Sequence, residues 1–227
     1  MLYKKVTHVL FDLDGLLIDS EKLYTEAFTK VCAKFDKEFT WELKKTILGF
    51  QGPECAEKII KTLGLPINAE AFMAECRKEY DVLFQKVQLM PGAKKLVEHL
   101  HSKGVPIALA TSSGQDSVDL KMQNNKDFLK NFHHLTMGTT DPDVTKGKPD
   151  PAIFLVCASK FPDKPKPEDC LVFEDAVNGI KAACAAKMQV VVVPDPRIEP
   201  ELLKDATLHL KSLEEFQPEL FGLPPYD

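Results

Sequence analysis

Short apolar runs with strand character recur at Val6 to Phe11, Val105 to Ala110, Leu135 to Gly138, Cys170 to Phe173 and Val190 to Val193, and mainly helix-like stretches separate them. Runs of this length, nearly continuous in apolar character and bounded by turn residues, suit strands buried on both faces. Their alternation with helices predicts an α/β fold, a doubly wound parallel sheet covered by helices on both sides. A further short strand is expected at Thr207 to Leu210, and Pro224-Pro-Tyr-Asp227 reads as a fixed tail.

Between Leu16 and Leu89 the period changes. Leu23, Ala27 and Val31 can share one helix face with Phe28 beside them, and Phe72, Cys76, Tyr80 and Leu83 repeat the spacing. The Gly64-Leu-Pro66 turn breaks this helical segment internally, and Met90-Pro91-Gly92 marks the return to the sheet. The expected division is therefore an α/β core of residues 1–15 and 89–227, with residues 16–88 inserted as a helical cap placed to act as a lid.

At 227 residues, 44% hydrophobic and 28% charged, the chain can bury a substantial core. No leader or membrane span is read from it, so a cytoplasmic protein without a membrane partner is expected. The six cysteines, scattered with no C-x-x-C pair, read as reduced core thiols. A net charge of -5 argues against a nucleic-acid surface, which works by neutralising phosphates. Lys44-Lys45 and Lys94-Lys95 read as solvated helix faces.

Chemistry concentrates where the apolar runs stop. Asp12 and Asp14 follow the first run, and an extended backbone sends residues i and i+2 to the same side. Two close carboxylates repel unless a cation or proton sits between them, and a divalent metal with oxygen ligands is one solution. Glu174-Asp175 ends the fourth run and can complete such an oxygen-rich shell, although Asp175 could equally cap the following helix. Thr111-Ser112-Ser113-Gly114 follows the second run and can cradle a phosphate with hydroxyls and turn amides, while Lys148 in Gly147-Lys-Pro-Asp-Pro151 can neutralise a phosphate oxygen. Each of the last two is an ordinary turn or loop lysine when taken alone.

These four pieces, D-x-D-G, T-S-S, G-K-P-D-P and F-E-D, resemble in order and spacing the four motifs of the haloacid dehalogenase superfamily. The resemblance covers the whole chain and implies a Rossmann-like core with an inserted helical cap, as in the sugar-phosphatase and phosphomutase branch. Leu109 to Gly114, Cys170 to Ala176 and Phe216 to Pro224 resemble the animal pseudouridine-5'-phosphatase group within it. The resemblance implies a phosphomonoester hydrolase in which Asp12 is the nucleophile and forms an aspartyl-phosphate. Asp14 would be the acid and base, and Mg²⁺ would be held by Asp12, Asp175 and the Asp14 carbonyl, with Glu174 acting through water. Thr111, Ser112, Ser113 and Lys148 would bind the transferring group. The cap loop would bring Phe50 and Gln51 to the leaving group, with Glu21 facing it; an ordinary turn with Phe50 in the cap core and an exposed first-turn Glu21 stay open as alternatives.

A small phosphorylated sugar or nucleoside is then the expected substrate, pseudouridine 5'-phosphate first, with glycerol 3-phosphate as the polyol alternative. A phosphomutase would need a cap cation, which Gly49 to Pro53 lacks. Dehalogenases of the superfamily lack the second acid that Asp14 supplies, and a non-catalytic binding protein has no need of every motif acid. A monomer is expected. Lys187 stands where relatives commonly carry glycine in a helix-to-strand turn, which puts that turn's conformation in doubt.

Overall fold

The computed structural model describes residues 3–48, 50 and 52–227. Six parallel strands, β1 (His8–Phe11), β2 (Ile107–Thr111), β3 (Leu135–Met137), β4 (Cys170–Glu174), β5 (Gln189–Val192) and β6 (Leu208–His209), lie in the order β3-β2-β1-β4-β5-β6. Phe11 stands opposite Leu109 on one side and Phe173 on the other. The sheet has two buried faces, and the side chains alternate between them. Val9, Phe11, Ile107, Leu109, Leu171, Phe173 and Val191 join one core cluster, while Leu10, Ala108, Ala110, Val172, Val190 and Val192 join another. That alternation is why continuous apolar runs, rather than half-polar ones, mark these strands.

Strand ends differ from expectation by a residue or two. β2 begins at Ile107 because Pro106 has no N–H to give the ladder, although its carbonyl still accepts from Val9 N at 3.0 Å. β2 and β4 each run one residue further than expected, to Thr111 and Glu174, so pairing carries polar side chains up to the carboxyl edge.

Among the described residues five α-helices lie between β1 and β2, and the first four are α1 (Glu21–Ala33), α2 (Trp41–Lys45), α3 (Gly52–Leu63) and α4 (Ala69–Leu83). Val31, Leu43, Ile59, Phe72 and Cys76 share a core cluster separate from those of the sheet. The two connections to the sheet run side by side, with Met90 N donating to Leu17 O and Asp19 N to Gln88 O, both at 2.9 Å. After them come α5 (Ala93–Ser102), α6 (Gln115–Lys121), α7 (Lys126–Leu129), α8 (Ala152–Ser159) and α9 (Val177–Ala185). The C-terminal tail is tied to α5: Pro224 O bonds His99 Nε2 at 2.9 Å and the Lys103 ammonium meets Asp227 at 2.6 Å.

Lys187 closes α9 in the left-handed region, at φ 63°. Its N–H reaches Cys184 O at 2.9 Å and that of Met188 reaches Ala183 O at 3.0 Å, the double bond pattern that ends many helices with glycine. A Cβ in this conformation is strained by roughly 1 kcal/mol. Lys187→Gly is therefore expected to raise the unfolding free energy by about 0.5–1 kcal/mol in urea titration. A loss of stability would contradict that account of the turn.

Candidate active site

The chain leaves β1 for β2 and β3 on one side and returns at β4 on the other, so the carboxyl ends of β1 and β4 flank the crevice where open α/β sheets bind ligands. Asp12 follows β1 directly, its N–H held by Phe173 O at 3.0 Å, and Glu174 is the last residue of β4. Asp12, Glu174 and Asp175 each bring a carboxylate oxygen within 4.8 Å of the others. Lys148 enters this group from the loop before α8. Its ammonium donates to Asp12 Oδ1 at 2.5 Å, Glu174 Oε1 at 2.6 Å and Ala110 O at 3.2 Å, with only 6% of its side chain exposed.

The backbone makes room for these acids. Gly15, at φ 79°, and Gly179, inside α9, are sites where a Cβ would lie 2.2 Å from Asp175 Oδ2 and 1.9 Å from the Glu174 carboxyl carbon. The second Glu174 oxygen accepts from the amides of Asp175 and Ala176, at 3.1 and 3.4 Å. Asp175 does not cap α9, because Ala176 occupies that position, so its carboxylate is left to the crevice. Gly179→Ala is expected to push Glu174 off Lys148 and lower kcat by about 100-fold, the cost of roughly 1 Å of misplacement. Steady-state kinetics with a circular-dichroism check of the fold would test it, and unchanged kcat would mean that Glu174 needs no such cradle.

Three carboxylates facing one ammonium leave this pocket short of positive charge. Burial pushes the Asp12 carboxyl up to about 7; Lys148 opposes the rise while Glu174 and Asp14 add to it. Burial, with Glu174 and Asp12 adjacent, holds Asp175 well above the usual carboxylate range. Groups that resist ionisation together are the donor set a cation with oxygen ligands would favour, and the residues fit one.

The Asp14 carboxylate stands outside this trio. Lys121, wholly buried at the end of α6, donates to its two oxygens at 2.7 and 2.6 Å, and the hydroxyls of Ser20 and Ser113 donate at 2.6 and 2.9 Å. Burial alone would raise Asp14, but Lys121 and these hydrogen bonds outweigh it and hold the carboxyl below its ordinary value. Neither Lys121 nor Ser20 emerges from motif reading. A sequence signal for Lys121 does exist: with Val118 and Met122 it lies on the buried stripe of α6, a charged residue where the pattern wants an apolar one.

Above the trio and Asp14 opens a cavity of about 670 Å³ between the sheet edge and α1–α4. Ser112, Ser113, Glu21 and Phe50 line it, and Thr111 stands behind them, buried, its hydroxyl accepting from Ser113 N at 3.1 Å. Phe50 is 44% exposed and takes no part in the cluster between α1 and α4, so it is not a core residue of that segment. Gln51 lies outside the described residues. Lys44 corrects the expectation of a solvated face. Only 8% exposed, it turns into the cavity wall, where Thr25 Oγ1 at 2.8 Å and Glu21 Oε2 at 3.1 Å satisfy the ammonium. Arg77 of α4 lines the same cavity, so the helical segment does bring cations to it, from outside the Gly49 to Pro53 stretch.

A family model described as haloacid dehalogenase-like hydrolase matches residues 9–193, a span holding every acid of the crevice together with Lys44, Lys121 and Lys148. The chain belongs to this family. Among relatives of this haloacid dehalogenase-like hydrolase, a probable pseudouridine-5'-phosphatase of Drosophila melanogaster is 45% identical over 223 residues, covering 98% of this chain and 96% of that one. A (DL)-glycerol-3-phosphatase of Arabidopsis thaliana is 42% identical over 225 residues, covering 98% and 93%. The solved β-phosphoglucomutase of Clostridium difficile has the same fold, with a TM-score of 0.77 at 22% identity over 94% of each chain.

Proposed function

We propose that this haloacid dehalogenase-like hydrolase is a Mg²⁺-dependent phosphomonoester hydrolase whose substrate is a nucleoside or sugar monophosphate, pseudouridine 5'-phosphate before glycerol 3-phosphate. The observation that carries the reading is the convergence of Asp12, Glu174 and Asp175, with Lys148 bonded to the first two, at the floor of an aromatic-walled cavity. Asp12 attacks phosphorus in line and carries the phosphoryl group as an acyl-phosphate. Asp14 protonates the departing oxygen and then takes a proton from the water that hydrolyses the intermediate, which requires a carboxyl able to change state between steps. Lys148, Thr111, Ser112 and Ser113 offset the charge on the phosphoryl oxygens. Asp12, Asp175 and the Asp14 carbonyl would hold Mg²⁺, with Glu174 acting through water, and the ion would supply further charge stabilisation at the phosphoryl group.

Magnitude supports a complete set over any single group. Uncatalysed phosphomonoester hydrolysis demands accelerations up to about 10²¹-fold, whereas one general acid supplies about 10²- to 10⁴-fold. Alignment and preorganised charge must contribute most of the rest.

Tyr24, Phe28, Tyr80 and Phe84 give the cavity an apolar wall, and its volume exceeds what a three-carbon phosphate would fill. A flat heterocycle buries surface there that a polyol does not have, and this favours the nucleoside. Glu21, Phe50 and Gln51 are proposed to meet that half of the substrate. Residues 16–88 would act as a cap over a core of residues 1–15 and 89–227, in a cytoplasmic monomer. None of the helices among the described residues is long and apolar enough to cross a membrane.

Phosphate release from pseudouridine 5'-phosphate, uridine 5'-phosphate, glycerol 3-phosphate and hexose phosphates, with Mg²⁺ and with excess EDTA, tests the proposal. Turnover of at least one, lost on chelation, is expected. No release from any of them, or release indifferent to EDTA, would remove it.

A further inference from the structure

Lys121 is a buried cation for which the reaction above has no role. Lysine is almost never fully buried without a partner, and its ammonium has three protons to place. Here they meet both oxygens of Asp14, Ser113 Oγ at 2.7 Å and, at 3.5 Å, the hydroxyl of Tyr24 on α1. The ring of the same tyrosine lies 5.8 Å from the ammonium. The donors are committed, so in this arrangement Lys121 has nothing left for a substrate. Its position relative to the acids is the informative part. Asp12 and Asp14 project to one side of the chain from adjacent places, and nothing local keeps the second carboxylate from joining the first. Lys121, with Ser20 and Ser113, holds it apart.

We infer that Lys121 is the positioning residue for Asp14, anchoring its carboxylate outside the Asp12–Glu174–Asp175 set and connecting that anchor to α1 through Tyr24. A fourth carboxylate drawn into the cation site would be spent as a ligand and lost to proton transfer. The inference rests on the proposed acid–base role of Asp14.

Lys121→Met is the direct test, with Asp14→Asn and the double variant completing a cycle. Three measurements apply: kcat and KM for p-nitrophenyl phosphate, Mg²⁺ affinity by calorimetry without substrate, and the thermal midpoint without metal. Lys121→Met is expected to lower kcat by about 100-fold with KM changed less than about threefold, because the acid–base group is misplaced while binding is kept. Mg²⁺ should bind about tenfold more tightly as Asp14 swings in, an effect a merely structural lysine would not produce. Added to Asp14→Asn, the same substitution should change kcat and Mg²⁺ affinity less than about twofold, and the double variant should melt higher than either single.

Equal kcat losses in the two backgrounds, or unaltered Mg²⁺ affinity, would overturn the inference. If Lys121→Met alone does not fold, the double variant decides: it must fold and turn over as Asp14→Asn does, and failure on either count overturns it. Absent wild-type turnover would instead remove the phosphatase reading, and the metal-free midpoints would still report whether the two residues act as a pair.

Discussion

Asp12→Asn is expected to fold normally and to lose about 10⁶-fold in kcat, the size of loss seen when a nucleophile that works as part of a set is removed. An amide oxygen cannot form the acyl-phosphate, and the neighbouring carboxylates are already engaged, Glu174 by Lys148 and Asp14 by Lys121. Folding should survive because asparagine keeps the shape and an oxygen that can still accept from Lys148. The substitution also removes a carboxyl that burial, with Glu174 and Asp14 adding to it, pushes up to about 7, and it thins a crowded set of three acids, so the metal-free thermal midpoint should be equal or higher. Acid-quench trapping from labelled substrate should recover a phosphoenzyme from the parent and none from the variant. Steady-state hydrolysis above about one hundredth of the parent rate would contradict the nucleophile assignment.

Lys148→Met should damage both activity and folding, and the two losses should respond differently to metal. Lys148 is the one ammonium that an ion pair brings to Asp12 or Glu174 among the described residues, and both acids are buried. Breaking a buried pair by removing one partner typically costs about 3–5 kcal/mol, since the remaining charge is left uncompensated. Urea unfolding without metal should show a loss of that order. Millimolar Mg²⁺ should restore part of it, because the vacated charge balance is what a cation bound by these carboxylates can supply. Activity should not return with stability. A cation aimed at the transferring phosphoryl group is worth about 10³- to 10⁵-fold where it has been measured in phosphoryl transfer, and the loss in kcat should fall in that range. A stability loss identical with and without Mg²⁺ would argue that the carboxylates do not share a cation site.

Much of the fold is legible in the chain because its strands are short, apolar and buried on both faces. The pattern of Val6 to Phe11 and Cys170 to Phe173 therefore needs no knowledge of neighbours. Ladder pairing set the strand ends, as Pro106 and Thr111 illustrate. The acids of the site were legible for a related reason, since charge at the end of an apolar strand is out of place. The lysines were not equally legible. Lys148 stands out by motif and Lys121 only as a charge on an apolar stripe, while Lys44 looks like any helix lysine; the burial of Lys44 and Lys121 depends on acids elsewhere in the chain. Lys187 lies between these cases: the turn was expected, while the left-handed conformation of a non-glycine residue had to be observed.

The order of apolar and polar residues determined an α/β chain with carboxylates at its strand ends and a helical segment between the first two strands. Only the tertiary structure decided that Lys148 faces Asp12 and Lys121 faces Asp14, pairs separated by 136 and 107 residues. Periodicity reports which side of its own element a residue occupies. An ion pair depends on where two elements meet: the end of β1 meets the loop before α8 at Lys148 and the end of α6 at Lys121.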